Sequence, residues 1–238
     1  MVDAYHEREV LDMPIVDNLI PRLDHDRMDR YLRRYLGPRT SGELQKELKR
    51  QYHRCLELIE PKGIYEVYEI DRVVDSRVFF KNEEGFQGVN VARILKGSKI
   101  SCIYVATIGD AVEKALANMK CDGQGMLSVL YLDAISTVAL EEVRVQLCER
   151  IRLEEAEKRG WKMTCSFAPG QSGWSLEEQK GLFSMVDAKR IGVTLTDSCL
   201  MLPFKSLSGM VGIGPEDQID KTKSACELCQ RLDCPSRN

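Results

Sequence analysis

The chain has 238 residues, of which 43% are hydrophobic and 30% are charged, and its formal net charge is -3. These proportions are typical of a folded globular protein and exclude a disordered or fibrous class. Basic residues are interspersed among acidic ones, so the sequence carries no electrostatic footprint for nucleic acid. No apolar run approaches the ~18 residues that span a bilayer, and the N-terminus resembles no targeting peptide. We therefore expect a cytoplasmic protein with reduced cysteines and no membrane partner.

The first part of the chain predicts helices followed by strands. Apolar residues at spacings of three and four across 26–59 predict a helical hairpin, broken by a Gly- and Pro-containing stretch at 37–42. The pattern then changes to one rich in β-branched and aromatic residues, which predicts strands at 64–70 and 100–108.

The second part predicts two helices and then short, mixed elements. The first helix covers 110–119, and the second, which is long and ends in polar turns, covers 123–159. A further helix is predicted at 175–187, where Ser175 and Glu178 have capping-box spacing. Short strands are predicted at 161–167, 193–196, 199–203 and 207–213.

Strands and helices in this order, without regular alternation, favour an α+β fold with an antiparallel sheet. We divide the chain into an N-terminal helical region (1–60), a central domain (61–214) and a C-terminal cysteine tail (215–238).

The 166–175 loop joins a predicted strand to a predicted helix and contains Pro169, Gly170 and Gly173. Such a turn can expose backbone N–H groups near a helix N-terminus, where they bind a carboxylate, a phosphate or the polar end of a nucleotide-like ligand. The loop is therefore a candidate ligand site. The alternative is a tight strand-to-helix connection that binds nothing.

A second candidate is the 205–209 segment, where Lys205, Ser206 and Ser208 lie among glycines between two apolar runs. The order of residues is not that of a P-loop. One interpretation is a hairpin whose glycines permit close packing or positive φ. The other is a polar cleft floor that approaches a large planar ligand.

The long predicted helix carries Asp133, Ser136 and Glu141 among apolar residues, near one face. A buried carboxylate needs a partner, because leaving it unpaired is costly. These side chains either contact a ligand or hold neighbouring loops through hydrogen bonds to the backbone.

Three cysteines stand close together near the C-terminus, at Cys226, Cys229 and Cys234. Thiolates at C-x2-C-x4-C spacing can supply three ligands to zinc or to an iron–sulfur cluster. The alternative is a reduced tail without metal. The fourth ligand stays open among water, an exogenous group and the cysteines at positions 121, 165 and 199.

Several ordered motifs together resemble the activation domain of cobalamin-dependent methionine synthase. The resemblance spans roughly residues 60 to 213 and depends on the order of the motifs, not on one signature. The motifs are 132–141, Ala168-Pro-Gly, Leu182-Phe, 191–198, Met201-x-Pro203 and 205–209.

The resemblance implies a curved α+β body that binds S-adenosylmethionine and presents it to cob(II)alamin, which is reduced and methylated. It implies a corrinoid reactivation protein that acts on a separate corrinoid protein or on methionine synthase, with an electron donor protein as a further partner. Methionine biosynthesis is the implied process.

The family's loop usually reads Arg-x-x-Pro-Gly-Tyr, whereas this chain has Ser166 in place of the arginine and Gln171 in place of the tyrosine. Ala168, Pro169 and Gly170 complete the loop. Neither Ser nor Gln replaces the bidentate guanidinium as a carboxylate partner. Three alternatives follow: another group holds the carboxylate, the ligand differs, or the chain only docks or reduces the corrinoid.

The leading prediction is thus corrinoid reactivation with S-adenosylmethionine. The alternative is a non-methylating corrinoid-protein partner or redox adaptor with a metal or iron–sulfur centre on the tail cysteines, and a third is a zinc-stapled interaction protein. The predicted binding residues are Asp133, Glu141, Ser166, Ala168, Pro169, Gly170, Gln171, Lys205, Ser206 and Ser208.

Overall fold

A computed structural model describes residues 14–21, 42–82, 84–121, 123, 125–222 and 224–230. Among these residues, no helix is both long enough and apolar enough to cross a membrane. The α-helices are α1 (Gly42–Leu58), α2 (Val89–Leu95), α3 (Ala111–Cys121), α4 (Met126–Ile151) and α5 (Gln179–Met185). The strands are β1 (Ile15–Val16), β2 (Lys62–Val74), β3 (Arg77–Phe80), β4 (Gly85–Gln87), β5 (Ile100–Thr107), β6 (Lys162–Met163), β7 (Thr194–Leu195), β8 (Met201–Leu202) and β9 (Ser206–Gly214).

Seven strands form one antiparallel sheet in the order β4-β3-β2-β5-β9-β6, with β1 added beside β2. The register of β2 against β3 shifts between Ile70 and Arg72, and such irregularities bend a strand and increase its twist. The fold is therefore the expected α+β body with a curved antiparallel sheet and flanking helices.

Strand β5 lies at the centre of the sheet and separates two hydrophobic cores. All eight of its residues are buried. Because successive side chains point to opposite faces, Tyr104 packs into a core with α1, α3 and α4, whereas Ile103 and Val105 pack into a core with α2 and α5. We call these two sides the α4 face and the α5 face.

The N-terminal elements confirm part of the predicted helical hairpin. Helix α1 matches its second helix and buries Cys55 in the α4-face core, whereas the first predicted helix lies outside the described residues. The division of the chain into three regions stays a prediction.

Two local expectations about β-structure need correction. The hairpin expected at 205–209 is wrong, because β9 runs unbroken from Ser206 and pairs with β5 along its whole length. The strand expected at 161–167 is reduced to β6 and one isolated bridge between Phe167 and Met210. The 164–166 backbone instead leads into the 166–175 loop.

Candidate functional site

The 166–175 loop begins at the edge of the sheet and folds into a compact turn. Phe167 and Met210 exchange backbone hydrogen bonds of 3.0 and 2.8 Å. Inside the loop, the N–H of Gly170 donates to Trp174 O at 2.9 Å, and the N–H of Trp174 donates to Gln171 O at 2.9 Å. Gly170 has a positive φ of 86°, which glycine adopts without strain, so the backbone can form this turn.

Side-chain hydrogen bonds complete the turn. Ala168 N–H donates to Gln171 Oε1 at 3.2 Å, and Gln171 N–H donates to Ala168 O at 3.1 Å. The amides of Ala168, Gly170, Gln171 and Trp174 are thus satisfied by the loop itself. A ligand at this corner must rely mainly on other groups.

Aromatic rings fill the inner side of the loop. Trp174 stacks on Phe167 with ring centroids 5.4 Å apart and planes within 5°, and it meets Phe86 edge-on at 5.4 Å. Trp174 and Phe167 are both buried. This stack gives the loop a rigid base.

A polar cleft of about 640 Å³ lies beside the loop on the α5 face. Glu178 Oε1 accepts a hydrogen bond from Gln87 N at 3.4 Å, and both residues line the cleft. A concavity therefore lies beside the Gly173 to Ser175 end of the loop, and neither the Pro169–Gly170 turn nor the 205–209 segment is among the residues that line it. The lining residues are Ser76, Gln87, Gly88, Val89, Gly173, Ser175, Glu177, Glu178 and Gly181.

Ser166 points to the opposite, α4 face. Its Oγ lies 2.5 Å from the hydroxyl of Tyr104, a fully buried residue of β5. Burial raises the pKa of Tyr104, and the side chain stays neutral. Gly209 provides room for this hydroxyl, because a Cβ there would lie 2.6 Å from the Tyr104 oxygen.

Glu141 and Arg144 form an ion pair on α4, close to this hydroxyl pair. Arg144 Nε lies 2.8 Å from Glu141 Oε2, and Nη2 lies 2.5 Å from Oε1. Burial opposes the charge of Arg144, but the hydrogen bonds and charge of Glu141 outweigh it and raise the pKa of the guanidinium.

Cys148 connects this ion pair to Tyr104. Its Sγ lies 4.0 Å from Arg144 Nη1, and the Cys148 thiol interacts electrostatically with the Tyr104 hydroxyl. Burial raises the pKa of the Cys148 thiol, with Arg144 acting in the opposite direction. The polar groups of Glu141, Arg144, Cys148, Tyr104 and Ser166 thus lie in one neighbourhood on the α4 face.

Lys205 joins the start of β9 to α4. Its Nζ lies 2.9 Å from Asp133 Oδ1 and donates hydrogen bonds to Asp133 O at 3.2 Å and Thr137 Oγ1 at 2.7 Å. The Ser136 hydroxyl also donates to Asp133 O, at 2.8 Å. In this arrangement Asp133 holds the start of β9 through Lys205, and its role toward a ligand stays a prediction.

Ser206 and Ser208 are buried on the α5 face. The Ser206 hydroxyl donates to Thr107 Oγ1 at 3.0 Å, and Gln179 Nε2 donates to Ser208 Oγ at 2.7 Å. The predicted residues are therefore divided between the two faces of the sheet. Ser166, Glu141, Asp133 and Lys205 lie on the α4 face.

The cysteine tail is docked against the 166–175 loop. The Ser172 hydroxyl donates to Ala225 O at 2.7 Å, and Cys229 N–H donates to Cys226 O at 3.2 Å in one helical turn. Among the residues that the structure describes, no group of three potential ligands could hold a metal ion. Cys234 lies outside the described residues, so the metal centre stays a prediction.

Sequence reasoning did not single out Arg144, Cys148 or Tyr104. Helical spacing could have indicated Arg144 as a partner of Glu141, because it lies three residues after Glu141 on a predicted helix. Tyr104 carried none, since it belongs to an apolar run that predicts only a buried strand.

Comparisons with known proteins support the resemblance. Residues 149–221 match the family described as the vitamin B12-dependent methionine synthase activation domain. No curated protein matches the sequence. The structure is similar to the crystal structure of the MetH reactivation domain bound to AdoHcy, with a TM-score of 0.57 and 15% identity over 79% of this chain and 71% of that chain. The chain therefore has the fold of the MetH reactivation domain, and part of it matches the activation-domain family of methionine synthase.

Proposed function

We propose that the chain binds S-adenosylmethionine and supports reductive methylation of cob(II)alamin held by a separate corrinoid protein or a cobalamin-dependent methionine synthase. One observation supports the proposal: the fold is similar to the AdoHcy-bound reactivation domain, and Ser166 of the 166–175 loop lies on the same face of the sheet as the Glu141–Arg144 pair. We propose cytoplasmic action, in keeping with the reduced cysteines.

The reaction requires one electron and one methyl group. An electron donor protein reduces cob(II)alamin to cob(I)alamin, whose cobalt takes the methyl group from the sulfonium; the sulfur keeps the electron pair of the broken bond, and S-adenosylhomocysteine leaves. The protein's contribution is to bind and orient the donor.

The residues present fit a zwitterionic sulfonium ligand. Glu141, whose side chain is 38% exposed, provides negative charge for an ammonium or sulfonium group. Ala168 and Gly170 carry little or no side chain, which lets a nucleoside approach the backbone closely.

Isothermal titration calorimetry with S-adenosylmethionine tests the binding step. The proposal predicts a micromolar dissociation constant. An absence of binding up to millimolar ligand would contradict the methylation role.

A second candidate is a non-methylating corrinoid-protein partner or redox adaptor that uses the tail cysteines. The hydrogen bond from Ser172 to Ala225 favours it, because it holds the Cys226–Cys229 turn against the candidate ligand loop. Anaerobic purification followed by iron, sulfide and zinc analysis tests this role. Iron and sulfide would support it; stoichiometric zinc, with no effect of corrinoid on melting temperature, would favour an interaction protein.

A further inference from the structure

The guanidinium of Arg144 has one edge that Glu141 does not use. A guanidinium offers N–H donors on two edges, and Glu141 occupies the Nε–Nη2 edge with bonds of 2.8 and 2.5 Å. The Nη1–Nη2 edge has Cys148 Sγ at 4.0 Å from Nη1, and sulfur is a weak acceptor. The Arg144 side chain is 26% exposed, so solvent and ligands can reach it.

Arg144 also lies in the neighbourhood of Ser166, on the α4 face. The Cys148 thiol interacts electrostatically with Tyr104, and the Tyr104 hydroxyl hydrogen-bonds Ser166. Ser166 occupies the loop position where the resembled family usually has an arginine. The guanidinium of Arg144 on α4 lies on the same face of the sheet as this loop position.

The other nearby cation is less suited to bind an anion. Lys205 is 14% exposed, and an ammonium has three N–H donors. The three N–H donors of the Lys205 ammonium are directed at Asp133 Oδ1, Asp133 O and Thr137 Oγ1. An incoming carboxylate would have to displace these partners.

We propose that Arg144 binds the α-carboxylate of the amino-acid moiety of S-adenosylmethionine, and that Glu141 orients the guanidinium for this contact. The inference depends on the proposed function and names the residue that replaces the missing loop arginine. Side-by-side N–H donors match a carboxylate in a bidentate arrangement. The neighbouring Glu141 carboxylate adds negative charge for the α-ammonium of the same zwitterion.

The test uses the full chain and two probes in calorimetric titrations. S-adenosylhomocysteine has the α-carboxylate, whereas 5′-methylthioadenosine lacks the entire amino-acid moiety. The variants are Arg144→Gln, Arg144→Lys and a matched control, Arg152→Gln. Arg152 forms the same side-on pair at i, i+3 on Glu149, with bonds of 2.8 and 2.6 Å.

Arg144→Gln is expected to weaken S-adenosylhomocysteine binding about 10- to 100-fold, the range for a lost charge-assisted hydrogen bond. Binding of 5′-methylthioadenosine should not change, which also shows that the variant is folded. Arg144→Lys should recover only part of the loss, because an ammonium cannot bind in a bidentate manner. Arg152→Gln should bind both probes like the wild type.

A second substitution distinguishes the loss of the guanidinium from a local disturbance of the structure around residue 144. Adding Ser166→Arg to Arg144→Gln returns a guanidinium to the loop and should restore at least part of the lost affinity. Equal affinity of wild type and Arg144→Gln for S-adenosylhomocysteine would overturn the inference while leaving the proposed function in place. If the wild type binds neither probe, both the proposed function and the inference fail.

Discussion

The hydroxyl of Tyr104 lies 2.5 Å from Oγ of Ser166 and connects the central strand of the sheet to the first residue of the candidate ligand loop. Tyr104 is fully buried, so the loop is held by a group that cannot exchange its partner for water. Opposite this hydroxyl pair, Gly209 presents no side chain. The position of the loop therefore depends on a glycine in a neighbouring strand.

Gly209→Ala should destabilise the protein by about 1 to 3 kcal/mol, as overpacking of a core does. The new Cβ would lie 2.6 Å from the Tyr104 oxygen and 3.1 Å from Phe167 O. Urea denaturation measures the loss. Adding Tyr104→Phe removes the closest atom, so the double variant should lose less stability than the sum of the two single variants.

Gly42→Ala is the matched control, because no atom of the described residues lies within 4 Å of the added Cβ. Its stability should equal or exceed that of the wild type, since alanine is a better helix former than glycine. Strict additivity of Gly209→Ala and Tyr104→Phe would show that the two residues do not share this contact.

Lys205→Met should lower the free energy of unfolding by about 1 kcal/mol. This value is at the low end for hydrogen bonds to charged groups, because Asp133 is 55% exposed and solvent screens its ion pair with Lys205. The loss reflects the hydrogen bonds that connect β9 to α4.

Lys114→Met is the control. Its ion pair with Asp110, at 2.6 Å, lies on the surface with 69% of the lysine exposed, so stability should not change measurably. Equal losses in the two variants would contradict a structural role for Lys205.

Ser172→Ala should release the cysteine tail from the loop, because it removes the hydrogen bond to Ala225. Amide hydrogen exchange across 224–230 should accelerate, and Cys226 and Cys229 should be alkylated faster. Ser184→Ala is the control, since its hydroxyl donates within its own helix, to Gly181 O at 2.7 Å. Unchanged exchange in the tail of Ser172→Ala would mean that other contacts hold it.

Cys165 should be the slowly reacting thiol beside the tail. Burial raises its pKa from 9.0 to about 11, and the charges of Asp220 and Glu227 contribute. Because the thiolate is the nucleophile, iodoacetamide at about pH 8 should alkylate Cys165 more slowly than the exposed Cys121. Mass spectrometry of the peptides gives both rates.

The same raised pKa has a consequence for stability. Between pH 9.0 and about 11, the unfolded chain loses the Cys165 proton that the folded chain keeps, so the contribution of this thiol to stability falls as pH rises. Fast alkylation of Cys165 in the folded protein at about pH 8 would contradict the burial of this thiol.

Much of the fold could be predicted because burial leaves a clear pattern. Strand β5 is buried on both faces and therefore appears as a continuous apolar run, and α4 combines a long apolar pattern with a polar end. The error at 205–209 has a physical cause. Glycine usually indicates a turn, but Gly209 lies within a strand and makes room for the Tyr104 hydroxyl.

The site was less predictable, because spacing along the chain does not state which face of a sheet a residue occupies. Once 206–214 is known to be one strand, alternation separates Ser206 and Ser208 from Lys205. The pairing of Glu141 with Arg144 follows helical spacing. Its connection to Ser166 does not, because it passes through Tyr104 on a different element.

Anaerobic absorption spectroscopy tests the central claim most directly. A cob(II)alamin-loaded corrinoid protein is mixed with this chain, a low-potential reductant and S-adenosylmethionine. The account predicts that the cob(II)alamin spectrum is replaced by that of methylcobalamin only when the chain and S-adenosylmethionine are both present, and more slowly with Arg144→Gln. An unchanged cob(II)alamin spectrum in the complete mixture, or methylation at the same rate without the chain, would contradict it.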